Sequence, residues 1–226
     1  MRRLVRVDPA SIVPARGRAL ARAGVPEGRT PSERILALHA RANDLFLAEA
    51  APVGVVEELP LDELLALCRD GREAPPSVVE TVAPRAQRLA LFAATVGEPV
   101  CARIRALFDE GDAALGLLLD AVDSEAASAL AEELGEAIAG QGLAVLAYSP
   151  GYCGWPVAGQ HGLFARLRPA EAGIALSASA LMSPVKSVSG VLVGALPEAH
   201  RIRPGFDFCE ACSERTCLER MASWRS

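Results

Sequence analysis

Ser187-Val188-Ser189-Gly190-Val191-Leu192-Val193-Gly194-Ala195-Leu196 reads as a β-strand, and the segments around it decide the fold class. Working back from it, Gly173 to Leu176 reads as a strand and Gly159 to Leu167 as a short helix. Residues 149–157 form a Pro/Gly loop, and Gly142 to Ala147 reads as a buried strand. A helix is expected from about Asp123 to Ala139, capped by Asp123 or Ser124, with a separate helix through Leu115-Leu119 before it. Gly97 to Phe108 reads as a further helix, and Arg88 to Thr95 alternates weakly, as a strand does. Helices and strands alternate without a regular βαβ period, so the class is α+β rather than doubly wound.

The first third reads mainly as helices. Pro9 to Ala23 has apolar residues at helical spacing and stops at Gly24 and Pro26. Thr30-Pro31-Ser32-Glu33 forms a capping box with proline at the first helical position. The helix it opens should reach about Ala48. Val53 to Glu58 has the β-branched density of a short strand, and Pro60-Leu61-Asp62-Glu63 starts a helix ending near Cys68. Gly71 to Pro76 is a polar, proline-bearing break. The expected division is therefore a helical region over 1–75 packed on a main domain over 76–200, followed by a tail over 201–226.

Composition narrows the function. A net charge of -5 and 4% aromatic residues argue against a nucleic-acid surface, which needs basic charge and stacking platforms. Although 51% of residues are hydrophobic, no stretch has the ~18 uninterrupted apolar residues of a membrane span. Met1 to Asp8 has no apolar core of a signal peptide, so the expected compartment is the cytoplasm, where thiols stay reduced. Lys186 is the only lysine.

Three motifs carry chemistry. The tail contains Cys209, Cys212 and Cys217 in a Cys-x2-Cys-x4-Cys arrangement. Two thiolates three positions apart grip one ion from a tight turn, and a third nearby supplies another corner of a tetrahedron. Cys153, on the Pro/Gly loop, is the candidate fourth ligand. Four thiolates suit zinc or a 4Fe–4S cluster. The plain alternative is ordinary buried cysteines, the reading given to Cys68 and Cys101 on apolar helix faces.

The second motif is Tyr148-Ser149-Pro150-Gly151-Tyr152-Cys153-Gly154-Trp155-Pro156. Its prolines and glycines fix a backbone that a ligand can approach closely, or they simply make a turn. The third is Leu181-Met182-Ser183-Pro184-Val185-Lys186-Ser187. Lys186 is suited to a carboxylate or phosphate, or it is a solvated lysine before an edge strand. His161 reads as a surface or capping residue, and His39 and His200 carry no pattern.

These motifs occur in an order that resembles the activation (S-adenosylmethionine-binding) domain of cobalamin-dependent methionine synthase, and more closely its stand-alone relatives with a terminal cysteine cluster. The resemblance runs from about Arg88 to Leu196. It rests on Ala94-Thr95-Val96-Gly97, Leu117-Leu118-Leu119-Asp120-Ala121, the Ser-Pro-Gly-Tyr loop, Met182-Ser183-Pro184, and above all Ser187-Val188-Ser189-Gly190. It implies a twisted, mainly antiparallel sheet with flanking helices. It also implies that Ser149, Pro150, Gly151, Tyr152 and Lys186 line a cofactor site and that Tyr152 reaches toward the cobalt face of a partner's cobalamin.

Two positions depart from the family pattern. Ala147 stands where an arginine is usual, and Ala178, within Ser177-Ala178-Ser179, stands where an acid is usual. Each loss removes a charge-assisted bond of ~1.5–3 kcal/mol, which argues against S-adenosylmethionine. The resulting expectation is an accessory to methionine synthase or another corrinoid methyltransferase. It would reduce or remethylate inactive cob(II)alamin through a cysteine-ligated iron–sulfur centre. The alternatives are a corrinoid-protein binding module with structural zinc, or the S-adenosylmethionine-binding subunit of a split methionine synthase.

Overall fold

The structure is a computed structural model that describes residues 1–26, 28–69 and 76–200. In chain order the strands are β1 (Arg2–Arg6), β2 (Val53–Glu58), β3 (Arg88–Thr95), β4 (Ala144–Tyr148), β5 (Ala175–Leu176), β6 (Met182–Ser183) and β7 (Ser187–Ala195). The helices are α1 (Arg16–Arg22), α2 (Glu33–Glu49), α3 (Leu61–Arg69), α4 (Val78–Val82), α5 (Glu98–Asp109), α6 (Ala113–Glu136) and α7 (Gly159–Leu167). Five strands form an antiparallel sheet in the order β1-β2-β3-β7-β4, and β5 and β6 form a small hairpin of their own. This is the α+β, mainly antiparallel architecture expected from the sequence.

β3 is central and covered on both faces, which explains why its sequence alternates only weakly. Ala90, Phe92 and Ala94 face a core built with Ala42 and Phe46 of α2, Ile104 of α5 and Leu119 and Leu130 of α6. Leu91 and Ala93 face the opposite core, with Leu64 of α3, Val78 of α4 and Leu163 and Leu167 of α7. Successive side chains on a strand point to opposite faces, so one apolar run serves two layers.

Several elements differ from their sequence reading. The expected helix over Pro9 to Ala23 is a 3-10 turn (Pro9–Ile12) followed by α1. Val13 precedes Pro14 and is extended, as the proline ring demands of its neighbour. Ser32, rather than Thr30, caps α2, its hydroxyl accepting from the Ile35 amide. The two helices expected across 115–139 are one continuous α6, and Asp123 lies inside it rather than capping it. Ser77 starts α4, where Glu80 accepts from its main-chain amide at 2.7 Å.

β1 was not expected, because Arg2-Arg3-Leu4-Val5-Arg6 is a charged edge strand. Arg2 Nε and Nη2 donate to the carbonyls of Leu167 and Arg168 at the C-terminal end of α7. Arg3 Nη2 donates to the carbonyl of Ala137 at the end of α6. Helix ends leave carbonyls without intrahelical partners, and these guanidinium groups satisfy them. The break at 71–76 falls largely outside the described residues, and β2 and β3 from its two sides pair directly. No helix among the described residues is long and apolar enough to cross a membrane.

Candidate functional site at the end of strands β4 and β7

β4 ends at Tyr148, which lies opposite Val191 of β7. The chain then leaves the sheet over Gly190. A Cβ on Gly190 would overlap the carbonyl of Tyr148 and press on Cα of Ser149 at 3.1 Å. Glycine is thus required where the loop crosses the strand.

The loop closes on itself. The Tyr152 amide donates to Ser149 O at 3.2 Å, the Trp155 amide to Tyr152 O at 3.0 Å, and the Gly151 amide to Trp155 O at 2.6 Å. Cys153 adopts φ 52°, a left-handed conformation uncommon for residues with a side chain. Its carbonyl accepts from the Val78 amide at 3.0 Å, which ties the loop to the start of α4.

This arrangement buries one aromatic ring and presents the other. Trp155 is buried among the α3–α4–α7 core, with its indole N–H lacking a hydrogen-bond partner. Gly159 at the start of α7 permits that packing, since a Cβ there would run into Trp155 Nε1. Tyr152 is 52% exposed. Ser149 is partly buried, Pro150 buried, Gly151 exposed and Cys153 partly buried. Five of the expected site residues, Ser149, Pro150, Gly151, Tyr152 and Cys153, therefore form one anchored turn with a tyrosine projecting from it.

Lys186, at the start of β7, directs its side chain to α6. Its Nζ lies 2.8 Å from Asp120 Oδ1 and donates to Ser124 Oγ at 2.6 Å and to Asp120 O at 3.3 Å. The side chain is only 14% exposed. Ala147 sits on β4 opposite Leu192, and Ala178 is exposed in the β5–β6 turn. Cys209, Cys212 and Cys217 lie outside the described residues. Among the described residues, no group of three or more His, Cys, Asp or Glu is placed to hold a metal ion.

Two further features carry no local sequence signal. Tyr148 and His200 are both buried and their rings are stacked, with centroids 6.1 Å apart. His200 Nε2 lies 3.0 Å from Ala144 O. A carbonyl only accepts, so this nitrogen carries a proton; in the neutral ring Nδ1 then accepts from the Tyr148 hydroxyl at 2.9 Å. The pair is separated by 52 residues, and only the register of β4 brings it together.

The second feature is Asp123, fully buried, with neither carboxylate oxygen hydrogen-bonded. Burial pushes its carboxyl up to about 7, against a smaller downward pull from Lys186, and Asp120 adds to the rise. Burial likewise pushes the Cys101 thiol up.

No family model and no curated protein matches the sequence. Among solved structures, the chain is similar to the crystal structure of the MetH reactivation domain bound to AdoHcy, with a TM-score of 0.64 and 16% sequence identity over 99% of this chain and 89% of that one. The protein has the fold of the MetH reactivation domain. At this identity the likeness speaks for the fold alone. It extends across almost the whole described chain, β1 and β2 included, beyond the Arg88 to Leu196 stretch that carries the sequence resemblance.

Proposed function

We propose that the protein reactivates a corrinoid-dependent methyltransferase by docking the Tyr152 turn against the partner's cobalamin. The observation that carries this reading is the turn itself: an exposed tyrosine on a loop held by Gly190, Val78 and buried Trp155, within a reactivation-domain fold. Such anchoring presents a ring and hydroxyl at little entropic cost on binding. Ser149, Pro150 and Gly151 shape the backbone beside it.

In the fuller version, Cys153 joins Cys209, Cys212 and Cys217 around a 4Fe–4S cluster, with zinc as the alternative occupant. A cluster with four thiolates supplies low-potential one-electron chemistry of the kind cob(II) reduction requires. Two observations support the assignment of ligands. Cys153 adjoins Tyr152, and its carbonyl is fixed by Val78, so the thiol belongs to an ordered turn. His200 is held beside β4 by Tyr148, and the nine positions from His200 to Cys209 span up to ~30 Å when extended. Tyr148, which His200 touches, lies five residues before Cys153 in the same β4-to-loop segment.

Anaerobic purification followed by iron, sulfide and zinc analysis tests the metal. Loss of the cob(II) paramagnetic signal, after mixing the reduced protein with a corrinoid methyltransferase, tests the activity. A colourless zinc protein that leaves the signal unchanged would remove the electron-transfer version.

A second reading is favoured by the neighbour's bound AdoHcy: this chain takes S-adenosylmethionine or its product beside Pro150 and Gly151. Ala147 and Ala178 weaken it, because neither offers charge to an amino-acid moiety. Calorimetry with both nucleosides decides it, and absence of heat at millimolar ligand would remove it.

A further inference from the structure

The buried charge cluster between α5, α6 and the start of β7 plays no part in the proposed docking, yet its hydrogen bonding is unbalanced. The Lys186 ammonium has three protons and three acceptors: Asp120 Oδ1, Ser124 Oγ and Asp120 O. All three belong to one turn of α6. Asp123 lies on the same helix three residues after Asp120, fully buried, with both oxygens unpartnered. The main chain of Lys186 is fixed, since its carbonyl accepts from the Val96 amide at 3.1 Å and the Thr95 hydroxyl at 3.3 Å. Only its flexible side chain can move.

We propose that the Lys186 ammonium has two seats on α6, an outer one at Asp120 and Ser124 and an inner one at Asp123, and that loss of the Asp123 proton draws it inward. A protonated Asp123 is tolerated in its apolar surroundings, and the ammonium then stays outside, as in the described arrangement. An ionised, unpartnered carboxylate at zero exposure is not tolerated, and among the described residues the cation acting on it is Lys186. The exchange breaks one or more of the three outer bonds and leaves the carboxylate of Asp120, already 43% exposed, to solvent.

The other titratable groups facing Asp123 oppose rather than replace this exchange. Asp120 is an acid on the same helix, and Cys101 on α5 is a thiol held in its neutral form by burial. Glu98, at the start of α5, acts on Cys101 and is itself engaged by Arg105. The device thus reports proton binding inside the helical layer as a change in surface charge at Asp120, at the base of the segment leading from β6 into β7.

Because Lys186 is the only lysine, protein labelled with 13C-lysine gives one resonance for each side-chain carbon. In the full-length wild type, the Lys186 Cε resonance should shift in a single step near pH 7, coincident with the Cγ resonance of 13C-labelled Asp123. In Asp123→Asn the lysine resonance should stay flat from about pH 5.5 to about pH 8.5. A lysine resonance that stays flat in the wild type would overturn the proposal. So would a step that survives Asp123→Asn, or one whose midpoint differs from that of Asp123. Should Asp123→Asn fail to fold, the two wild-type midpoints decide the matter alone.

Discussion

Gly190 lies directly beneath the carbonyl of Tyr148, so close that no other residue fits without moving the loop. Of the serine-glycine pair that marks the sequence resemblance, the glycine is thus a structural requirement of the crossing. Gly190→Ala should destabilise the protein by about 3 kcal/mol, because the obstacle is main chain and cannot rotate away. For a chain of this size that lowers Tm by roughly 6–12 °C. Ser189→Ala removes a buried hydroxyl with no hydrogen-bond partner and should be neutral or mildly stabilising. Thermal unfolding of the two variants side by side measures the contrast.

Tyr148→Phe keeps the ring stacked on His200 but deletes the 2.9 Å hydrogen bond. A loss of about 1–3 kcal/mol in denaturant unfolding is expected for a bond between two buried groups. Were the hydroxyl incidental, the midpoint would not shift.

The pH dependence of stability follows from Asp123. Its folded value of about 7 lies above the ordinary 3.8, so between these pH values the folded state holds a proton that the unfolded chain has lost. Stability contributed by the neutral carboxyl is complete below the lower value and is lost as pH rises through about 7. The limiting cost is about 4 kcal/mol at alkaline pH, less whatever Lys186 recovers. Asp123→Asn should therefore gain on the wild type progressively between about pH 4 and about pH 7 and level off above that, as followed by urea unfolding at each pH.

Tyr152 is exposed and belongs to neither apolar core among the described residues. Tyr152→Ala should unfold within about 0.5 kcal/mol of the wild type. Its reactivation of a corrinoid partner should fall at least about tenfold, equivalent to ~1.4 kcal/mol, if the ring makes the contact. Equal activity of the two proteins in the cob(II) assay would remove Tyr152 from the proposed interface.

Metal content provides the test of the thiolate set. If the proposed four-cysteine centre exists, Cys153→Ser and Cys212→Ser should each lower the metal content or raise its susceptibility to a chelator, whereas Cys101→Ser, at a buried site on α5, should not. Elemental analysis of the three variants separates a four-cysteine site from scattered thiols.

How much of this was legible in the sequence depends on where the signal resides. β7, β3 and α7 were readable because runs of apolar residues and a Gly/Pro loop bound them closely. β1 was not, because three arginines in five residues hide an exposed edge strand that is held by its pairing with β2. The sequence of α6 reads as two helices because Asp123-Ser124 has the chemistry of a cap. In the fold, Asp123 turns into the core and Ser124 serves Lys186, so the helix passes through. The Tyr152 turn was visible as a motif, but its anchors at Val78 and Gly190 come from distant segments. The Tyr148–His200 pair had no local trace at all. The readings of Cys209, Cys212 and Cys217 concern residues outside the described part of the chain.

The arginines of β1 make the first six residues a clasp on both sides of the molecule. Arg2 reaches the end of α7 in one layer, and Arg3 reaches the end of α6 in the other. A chain trimmed to Val7 would strip an edge from the sheet and uncap two helices at once. One of those helices carries the Lys186 seat, and the other follows the Tyr152 turn. The segment farthest in sequence from the candidate site is therefore mechanically joined to both of its supports, and shortening it would loosen the site without touching a residue in it.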